Sequence, residues 1–477
     1  MNIHGALAGL LGLSLLLGCG DDGGGTGSAS TGDTTGSGVT TLPLPTAEGS
    51  TGSGPGESSQ GSSEESVDET GPVPDMPPPG QDDCERLDAL LEALPGAPDA
   101  GGLVDQFVRE VTYGEHGFPI TCDTDLAVVH LGGPGQDFSV AGDFNGWVPG
   151  EHPLAEPVPG LGFYYARVSL PVAPEGLYKL VDADGDVFFG DPLARRFGWD
   201  RFGEYSLVDP LPDRGHHERW PGFDQGVGAL QPRTVTVYLP AGALAEAGLP
   251  VLYMHDGQNL FSPDALFGGW RVSETLEVAI GDGTLPPVVV VGIDNTSDRF
   301  DEYTQTTDVV GGSRVGGRAD EYADFLVGGI KPFVEQRYPV SADPEQVATM
   351  GSSLGGLVSL YIGQRHPDVF GHVASMSGTI AWGTIDASNP TIVDVYLGQA
   401  PTGLRIYLDS GGSAGAGCPD GGSDNYCGNV ELADALRGLG WQDEVDLFYR
   451  WEPGAPHNEL AWADRFLPAL VDWFPGG

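Results

Sequence analysis

Two hydrophobic periods divide the chain. Over 84–111 apolar residues recur every three or four positions: Leu87, Leu90, Leu91 and Leu94, then Leu103, Val104, Phe107, Val108 and Val111. That spacing predicts a short helical segment at 82–124 with one buried face. From Leu126 the pattern shortens to strand-like runs at 126–131, 138–141, 162–170, 176–181, 187–189 and 205–208. Turn formers such as Gly132-Gly133-Pro134-Gly135 and Asp184-Gly185 separate them. Short strands so spaced predict a small immunoglobulin-like β-sandwich over 125–212. Over 228–477 the two periods alternate. Strands are expected at 234–239, 251–255, 288–293, 347–350, 373–376, 405–408 and 445–449, and helices at 319–337, 355–365, 430–439 and 460–474. Alternation of this kind predicts an α/β fold built on an open sheet.

The first 81 residues show neither period. An apolar run at 6–18 ends in Leu16-Leu17-Gly18-Cys19. It is short for a bilayer span and has the length of a signal-peptide core. The ending resembles the lipobox of bacterial lipoproteins, with Asn2 and His4 where a Lys or Arg usually precedes the core. The resemblance implies a signal peptide over 1–18, lipidation at Cys19 and anchoring to a bacterial membrane, in the periplasm or at the cell surface. Residues 19–81 are mostly Gly, Ser, Thr, Pro and acids, without Lys or Arg. Such a segment cannot bury enough apolar surface to offset its ordering entropy, so a disordered linker is expected. As a flexible coil it would reach roughly 45 Å.

Charge narrows the partners. With 68 acidic and 21 basic residues the formal net charge is −47. That argues against nucleic acid, whose phosphates need Lys and Arg, and against docking on anionic lipid. Of the five cysteines, Cys19 stands alone, Cys84 and Cys122 flank one segment, and Cys418 and Cys427 share one loop. No Cys-x-x-Cys occurs, so two disulfides and an oxidising compartment are expected rather than a metal site.

The chemistry centres on Gly351-Ser352-Ser353-Leu354-Gly355. A strand-like run leads in and a helix-like run leads out, the setting of a nucleophile elbow in which glycines allow a sharp turn that lifts one serine above a sheet. The bare pattern is weak in a chain of 76 glycines and recurs at Gly411-Gly412-Ser413-Ala414-Gly415. After Ser413, however, come Gly, Cys, Pro and Asp, and no helix can begin there. Ser353 is the candidate nucleophile, and it needs a base and an oriented acid. His457, in Pro453-Gly454-Ala455-Pro456-His457-Asn458-Glu459, follows the last expected strand and precedes a helix; His152, His216 and His217 have no such placement. The order serine, acid, histidine puts the acid after the strand at 405–408, where Asp409, Asp420 and Asp424 are available. Asp424 is chosen, because it precedes the next helix in a loop that a Cys418–Cys427 bridge would brace; Asp409 is the alternative. The backbone N–H groups of Leu354 and Gln258 are the candidate oxyanion donors. Trp270 and Trp382 are candidates for pocket lining.

Two further resemblances follow from these residues. Val140-Ala141-Gly142-Asp143-Phe144-Asn145-Gly146-Trp147, Gly176-Leu177-Tyr178-Lys179-Leu180 and Gly190-Asp191-Pro192 resemble the early-set sandwiches of carbohydrate-binding module family 48. Trp147 then either packs under the sheet or stacks on sugar. Asp182-Ala183-Asp184-Gly185-Asp186 lacks the spacing and closing glutamate of a calcium loop and reads as a hairpin turn. The stretch 253–261, the elbow, and Glu452-Pro453-Gly454-Ala455-Pro456-His457 with Trp462 resemble an esterase superfamily of α/β-hydrolases. That superfamily includes ferric-enterobactin, feruloyl and acetyl xylan esterases, S-formylglutathione hydrolases and mycolyltransferases. The resemblance implies ester hydrolysis through an acyl-serine without metal or organic cofactor, on a small-molecule or polysaccharide ester. Roles carry over to Ser353, His457, Gln258 and Leu354; the acid transfers least directly, because the loop at 418–427 looks like an insertion. A lipid-anchored polysaccharide esterase is the first expectation. A siderophore esterase and a non-catalytic carbohydrate-binding lipoprotein are the alternatives.

Overall fold

Two acid-capped helices begin the structured part of the chain. Asp82 accepts the Glu85 N–H at 2.7 Å to open α1 (Asp83–Ala93), and Asp99 accepts the Gly102 N–H at 2.9 Å to open α2 (Ala100–Tyr113); each cap satisfies a donor the helix cannot. The computed structural model describes residues 82–211, 213–224, 230–401, 403–418 and 422–476. The expected signal peptide, Cys19, the linker to 81 and Asp420 lie outside the described residues.

The strands of the first region are β1 (Ile120–Cys122), β2 (Asp125–Leu131), β3 (Phe138–Gly142), β4 (His152–Pro153), β5 (Phe163–Ser169), β6 (Leu177–Asp182), β7 (Phe188–Phe189), β8 (Arg196–Asp200) and β9 (Gly203–Leu207). β1, β2 and β5 form a three-stranded antiparallel sheet. Alternation along β2 sends Ala127 and Val129 to a core shared with Leu87, Phe107 and Val111 of the helices, and Leu126 and Val128 to a second core. In that second core they meet Val140 and Leu180 of β3 and β6. A disulfide joins Cys84 on α1 to Cys122 on β1. At the β6–β7 turn Asp182 accepts the backbone N–H groups of Asp186 and Val187 at 3.2 and 3.1 Å.

The stretch 213–227 carries no element in the sequence reading, yet it holds β10 (His216–Phe223). β10 pairs with β8 on one side and with β11 (Arg233–Leu239) on the other. Its pattern is masked by Pro221 and by a register shift between Trp220 and Phe223, the irregularity at which a sheet tolerates proline. Glu218, buried on β10, accepts from Tyr338 Oη at 2.8 Å and Arg196 Nε at 3.2 Å.

β12 (Val251–His255), β13 (Val289–Ile293), β16 (Val347–Ser352), β17 (His372–Met376), β18 (Arg405–Ser410) and β19 (Leu447–Trp451) run parallel to their neighbours in the order β19-β18-β17-β16-β12-β13. Through β11 and β10 that sheet continues into the first region, so that fourteen strands among the described residues share one mixed sheet. Both faces of its parallel part are covered. Val251, Val289, Val347 and Val373 meet helices on one side, and Leu252, Val290, Ala348 and Ala374 on the other, which is why these strands read as continuous apolar runs. A hairpin of β14 (Thr307–Val310) and β15 (Ser313–Gly316), not expected from sequence, stands apart.

Two helices depart from expectation. The stretch 319–337 is helical throughout but carries a π-helical turn at Leu326–Ile330 ahead of Pro332; proline offers no N–H to the regular ladder. The helix expected at 460–474 is broken into Glu459–Ala463 and Leu467–Trp473, with Pro468 in the first turn of the second, where its missing N–H costs nothing.

Candidate active site

The elbow is built by close backbone approach. A Cβ on Gly351 would lie 2.6 Å from the Gly355 backbone, and one on Gly356 would lie 2.6 Å from Ser375 Oγ. At Gly351 the obstacle is backbone, so only glycine fits there; at Gly356 a larger residue would have to displace the Ser375 hydroxyl. Ser353 sits between β16 and α3 (Leu354–Arg365) at φ 55° and ψ −120°, a strained conformation for a residue with a side chain. Its carbonyl accepts the Thr379 N–H at 3.1 Å, its N–H donates to Met376 O at 2.9 Å, and its Oγ lies 3.4 Å from Thr379 Oγ1. As the first residue of α3, Leu354 keeps an N–H outside the helix's own hydrogen bonds.

Asp424 and His457 meet across two strand ends. Asp424 lies in the loop after β18, His457 in the loop after β19, and the imidazole Nδ1 is 2.5 Å from Asp424 Oδ1. Asp424 Oδ2 accepts from Ser377 Oγ at 2.6 Å and from the Gly411 N–H. Both Asp424 and Asn425 adopt left-handed backbone, and Asn425 Nδ2 holds the turn by donating to Ser377 O at 2.7 Å. The Cys418–Cys427 disulfide closes this loop ahead of α4 (Tyr426–Leu439). His457 is about one-third exposed and its ring stands edge-on to Trp462 at 4.9 Å.

Asp409, the alternative acid, does not reach His457. It is buried at the end of β18 with Arg465 Nη2 3.1 Å from its Oδ1, close enough for an ion pair though not aligned as a hydrogen bond. Burial pushes its carboxyl up to about 7; Arg465 opposes that rise, and Asp424 adds to it. Ser413, the second Gly-x-Ser-x-Gly serine, is exposed in a loop and exchanges hydrogen bonds with Ser423.

Gln258 lies in a tight turn after β12 that abuts the elbow. Asp256 enters that turn at φ 59° and is gripped by Arg299 Nε and Nη2, each at 2.7 Å. Burial works to raise its pKa, but Arg299 outweighs it and holds the carboxyl below the usual range. A Cβ on Gly355 would sit 3.2 Å from Asp256 Oδ2, so loop and elbow touch. Gly257 has no room for a side chain, with Gly292 and Ile293 backbone 2.7 Å away. Asn259 Nδ2 donates to Glu459 Oε1 at 3.2 Å, tying this loop to the helix after His457. His255 is buried between Tyr322 Oη at 2.9 Å and Thr349 Oγ1 at 3.2 Å, and burial pushes it down to about 3.

Trp270 and Trp382 do not line an open pocket. They are 2% and 1% exposed; Trp270 packs on Trp462 and Phe466, and Trp382 on Phe300 with its Nε1–H donated to Thr306 O. Sequence reasoning also missed Ser377 and Arg465. Ser377 Oγ accepts from Trp462 Nε1 and Arg465 Nη2, both at 3.1 Å, and donates its own O–H to Asp424 Oδ2. Arg465 carried a faint signal, since it is the one Lys or Arg after Arg450.

A parallel sheet with helices on both faces, a left-handed serine between strand and helix, and a carboxylate–imidazole pair at neighbouring strand ends is the arrangement of an α/β-hydrolase. Residues 229–473 match the family described as "Putative esterase", and the chain belongs to that family. It is 27% identical over 248 residues to the uncharacterized protein YbbA of Bacillus subtilis, covering 51% of this chain and 93% of that one. It is 27% identical to the iron(III) salmochelin esterase of Escherichia coli, covering 39% and 44% of the two. It is 25% identical to an endo-1,4-beta-xylanase/feruloyl esterase of Xylanibacter ruminicola, covering 46% and 30%. The chain thus spans most of the first relative but less than half of the other two.

Proposed function

We propose that the protein is a serine carboxylic-ester hydrolase with Ser353 as nucleophile, His457 as base and Asp424 as the orienting acid. The observation that carries this is the His457 Nδ1 to Asp424 Oδ1 contact of 2.5 Å, at strand ends next to a left-handed serine elbow. Asp424 fixes the tautomer in which Nδ1 bears the proton and leaves Nε2 free to accept one. Ser353 Oγ attacks the ester carbonyl carbon while its proton passes to His457 Nε2. The oxyanion is received by the N–H groups of Leu354 and Gln258, each contributing on the order of 10²- to 10³-fold in rate. Collapse breaks the C–O bond, His457 returns the proton to the leaving alcohol, and water activated by the same imidazole releases the acid. The attack needs Ser353 Oγ to turn from Thr379 toward His457, and catalytic hydrogen bonds of this kind tighten as substrate binds.

The substrate proposed is a feruloyl or acetyl ester of polysaccharide, supported by the similarity to the xylanase/feruloyl esterase. The similarity to a salmochelin esterase favours a siderophore ester as the second reading, while the net charge of −47 works against an anionic ferric substrate. The first region is proposed as the carbohydrate-binding-module-like partner of the hydrolase, and Cys19 as its lipid anchor. The two disulfides favour an oxidising, extracytoplasmic compartment. No helix of the described residues is long and apolar enough to cross a membrane.

Hydrolysis of p-nitrophenyl acetate by the full chain is expected to fall by at least about 10³-fold in Ser353→Ala. Turnover undiminished by that change refutes the mechanism. Feruloylated oligosaccharide, acetylated xylan and catecholate esters tested side by side decide the substrate class.

A further inference from the structure

Arg465 stands behind the acid rather than at the protein surface. It lies in the turn between helices Glu459–Ala463 and Leu467–Trp473 and is 7% exposed. Among the described residues its side-chain polar contacts fall on one nitrogen. Nη2 donates to Ser377 Oγ at 3.1 Å and lies 3.1 Å from Asp409 Oδ1 and 3.9 Å from Asp424 Oδ2. Nε and Nη1 are buried and have no hydrogen-bond partner among those residues. A guanidinium buried with two nitrogens unanswered costs stability, so packing alone does not account for it. Gly411 keeps the space open: a Cβ there would lie 2.7 Å from Arg465 Nη1 and 2.8 Å from Asp424 Oδ2.

Ser377 converts that charge into direction. It is fully buried and held at φ 49°, a left-handed backbone that persists only where the surroundings impose it. A hydroxyl has two lone pairs and one proton. Trp462 Nε1 and Arg465 Nη2 occupy the lone pairs, so the proton goes to Asp424 Oδ2, at 2.6 Å. With Oδ2 also accepting the Gly411 N–H, Oδ1 is left for His457 Nδ1. The other charged and titratable groups around this cluster lie at its edges. Glu452 bears on Asp409; Tyr407 stands near Asp409, Arg465, Arg450 and Asp472; Glu459 stands near His457, Asp256 and Arg299. Burial pushes the Asp409 carboxyl up to about 7 against the pull of Arg465. Below that pH Asp409 is neutral, and the Arg465 charge falls on Asp424.

We propose that Arg465 is a positioning residue of the hydrolase: through Ser377 it aims Asp424 at His457, and its charge sets the pH below which His457 no longer serves as base. The inference rests on the Ser353, His457 and Asp424 reading and adds a residue behind the acid. A cation beside Asp424 disfavours the imidazolium, so Arg465 keeps the enzyme active to lower pH. The test is kcat and kcat/KM for p-nitrophenyl acetate between about pH 5 and about pH 9, measured with the full chain. Arg465→Met lowers the plateau kcat roughly tenfold and leaves KM within about twofold. It also moves the acid limb of kcat/KM upward by roughly half to one pH unit. Arg465→Lys, which returns a charge on one nitrogen, restores the limb. Arg465→Gln, which returns a donor without charge, restores most of kcat but not the limb. In a Ser377→Ala background Arg465→Met costs little further kcat, because the path to the acid is already cut. If Arg465→Met lowers only the urea midpoint, with plateau kcat and limb unchanged, Arg465 is structural and the proposal is overturned. Arg465→Lys behaving like Arg465→Met overturns it too. If circular dichroism shows that Arg465→Met does not fold, the split between Arg465→Lys and Arg465→Gln decides in its place. Turnover that survives Ser353→Ala sinks the esterase reading itself. Turnover lost in Ser353→Ala but indifferent to every Arg465 change sinks this inference alone.

Discussion

Asp424→Asn and Asp409→Asn separate two carboxylates that the sequence could not rank firmly. In the structure Asp424 Oδ1 faces His457 Nδ1 at 2.5 Å, whereas Asp409 faces Arg465 at 3.1 Å. An asparagine at 424 fills the same volume and can still accept from Ser377 and Gly411 through its oxygen. Its amide nitrogen then meets the imidazole. An NH₂ group cannot accept the Nδ1 proton, so the ring shifts its proton to Nε2 and can no longer take the one on Ser353. The expected loss in kcat is about 10³- to 10⁴-fold, or about 4–5.5 kcal/mol of transition-state stabilisation. Asp409→Asn alters a carboxyl that faces Arg465 rather than the imidazole and should leave kcat within about tenfold of the parent. The assay is saturation kinetics on p-nitrophenyl acetate at neutral pH, with circular dichroism to show that both variants fold. A collapse in Asp409→Asn with Asp424→Asn nearly unaffected refutes the reasoning, and equal mild losses refute both assignments.

Asp409 also predicts a pH dependence of stability. Burial raises its folded pKa from 3.8 to about 7, so its contribution is fully present below about pH 3.8 and is lost as pH rises through about 7. Asp409→Asn should therefore gain stability relative to the parent over that interval, by at most about 4 kcal/mol, and hold the gain above it; parallel urea-denaturation profiles against pH contradict this. Removing the Cys418–Cys427 bridge by serine at both positions frees a loop whose ends are nine positions apart and should cost about 2–3 kcal/mol. It should also lower kcat, since Asp424 lies inside that loop; lost stability with unchanged kcat would show that Ser377 and Asn425 hold the acid unaided.

Local chemistry was legible where the chain carries its own constraint. A Cβ on Gly351 would strike the Gly355 backbone at 2.6 Å, and one on Gly356 would crowd Ser375 Oγ at 2.6 Å; such positions announce themselves as a glycine pattern between a strand period and a helix period. The parallel strands were legible too, since burial on both faces leaves continuous apolar runs. What the sequence left open was everything set by the meeting of distant segments. Asp409 and Asp424 differ by 15 positions in a glycine-rich stretch, and only the turn at Asp424 and Asn425, seated on Ser377, aims one of them at His457. Strand β10 hid behind Pro221, because its place is decided by neighbours on both sides rather than by its own period. Trp270 and Trp382 looked like pocket walls and proved to be core, since burial belongs to the packed molecule and not to the residue type. By itself the sequence determined the alternation that makes the sheet, the elbow that lifts Ser353 and the histidine that follows the last strand. Tertiary structure decided which carboxylate meets that histidine and which side chains surround the serine, because these depend on loops from separate strand ends being held in contact by hydrogen bonds between residues far apart in the chain.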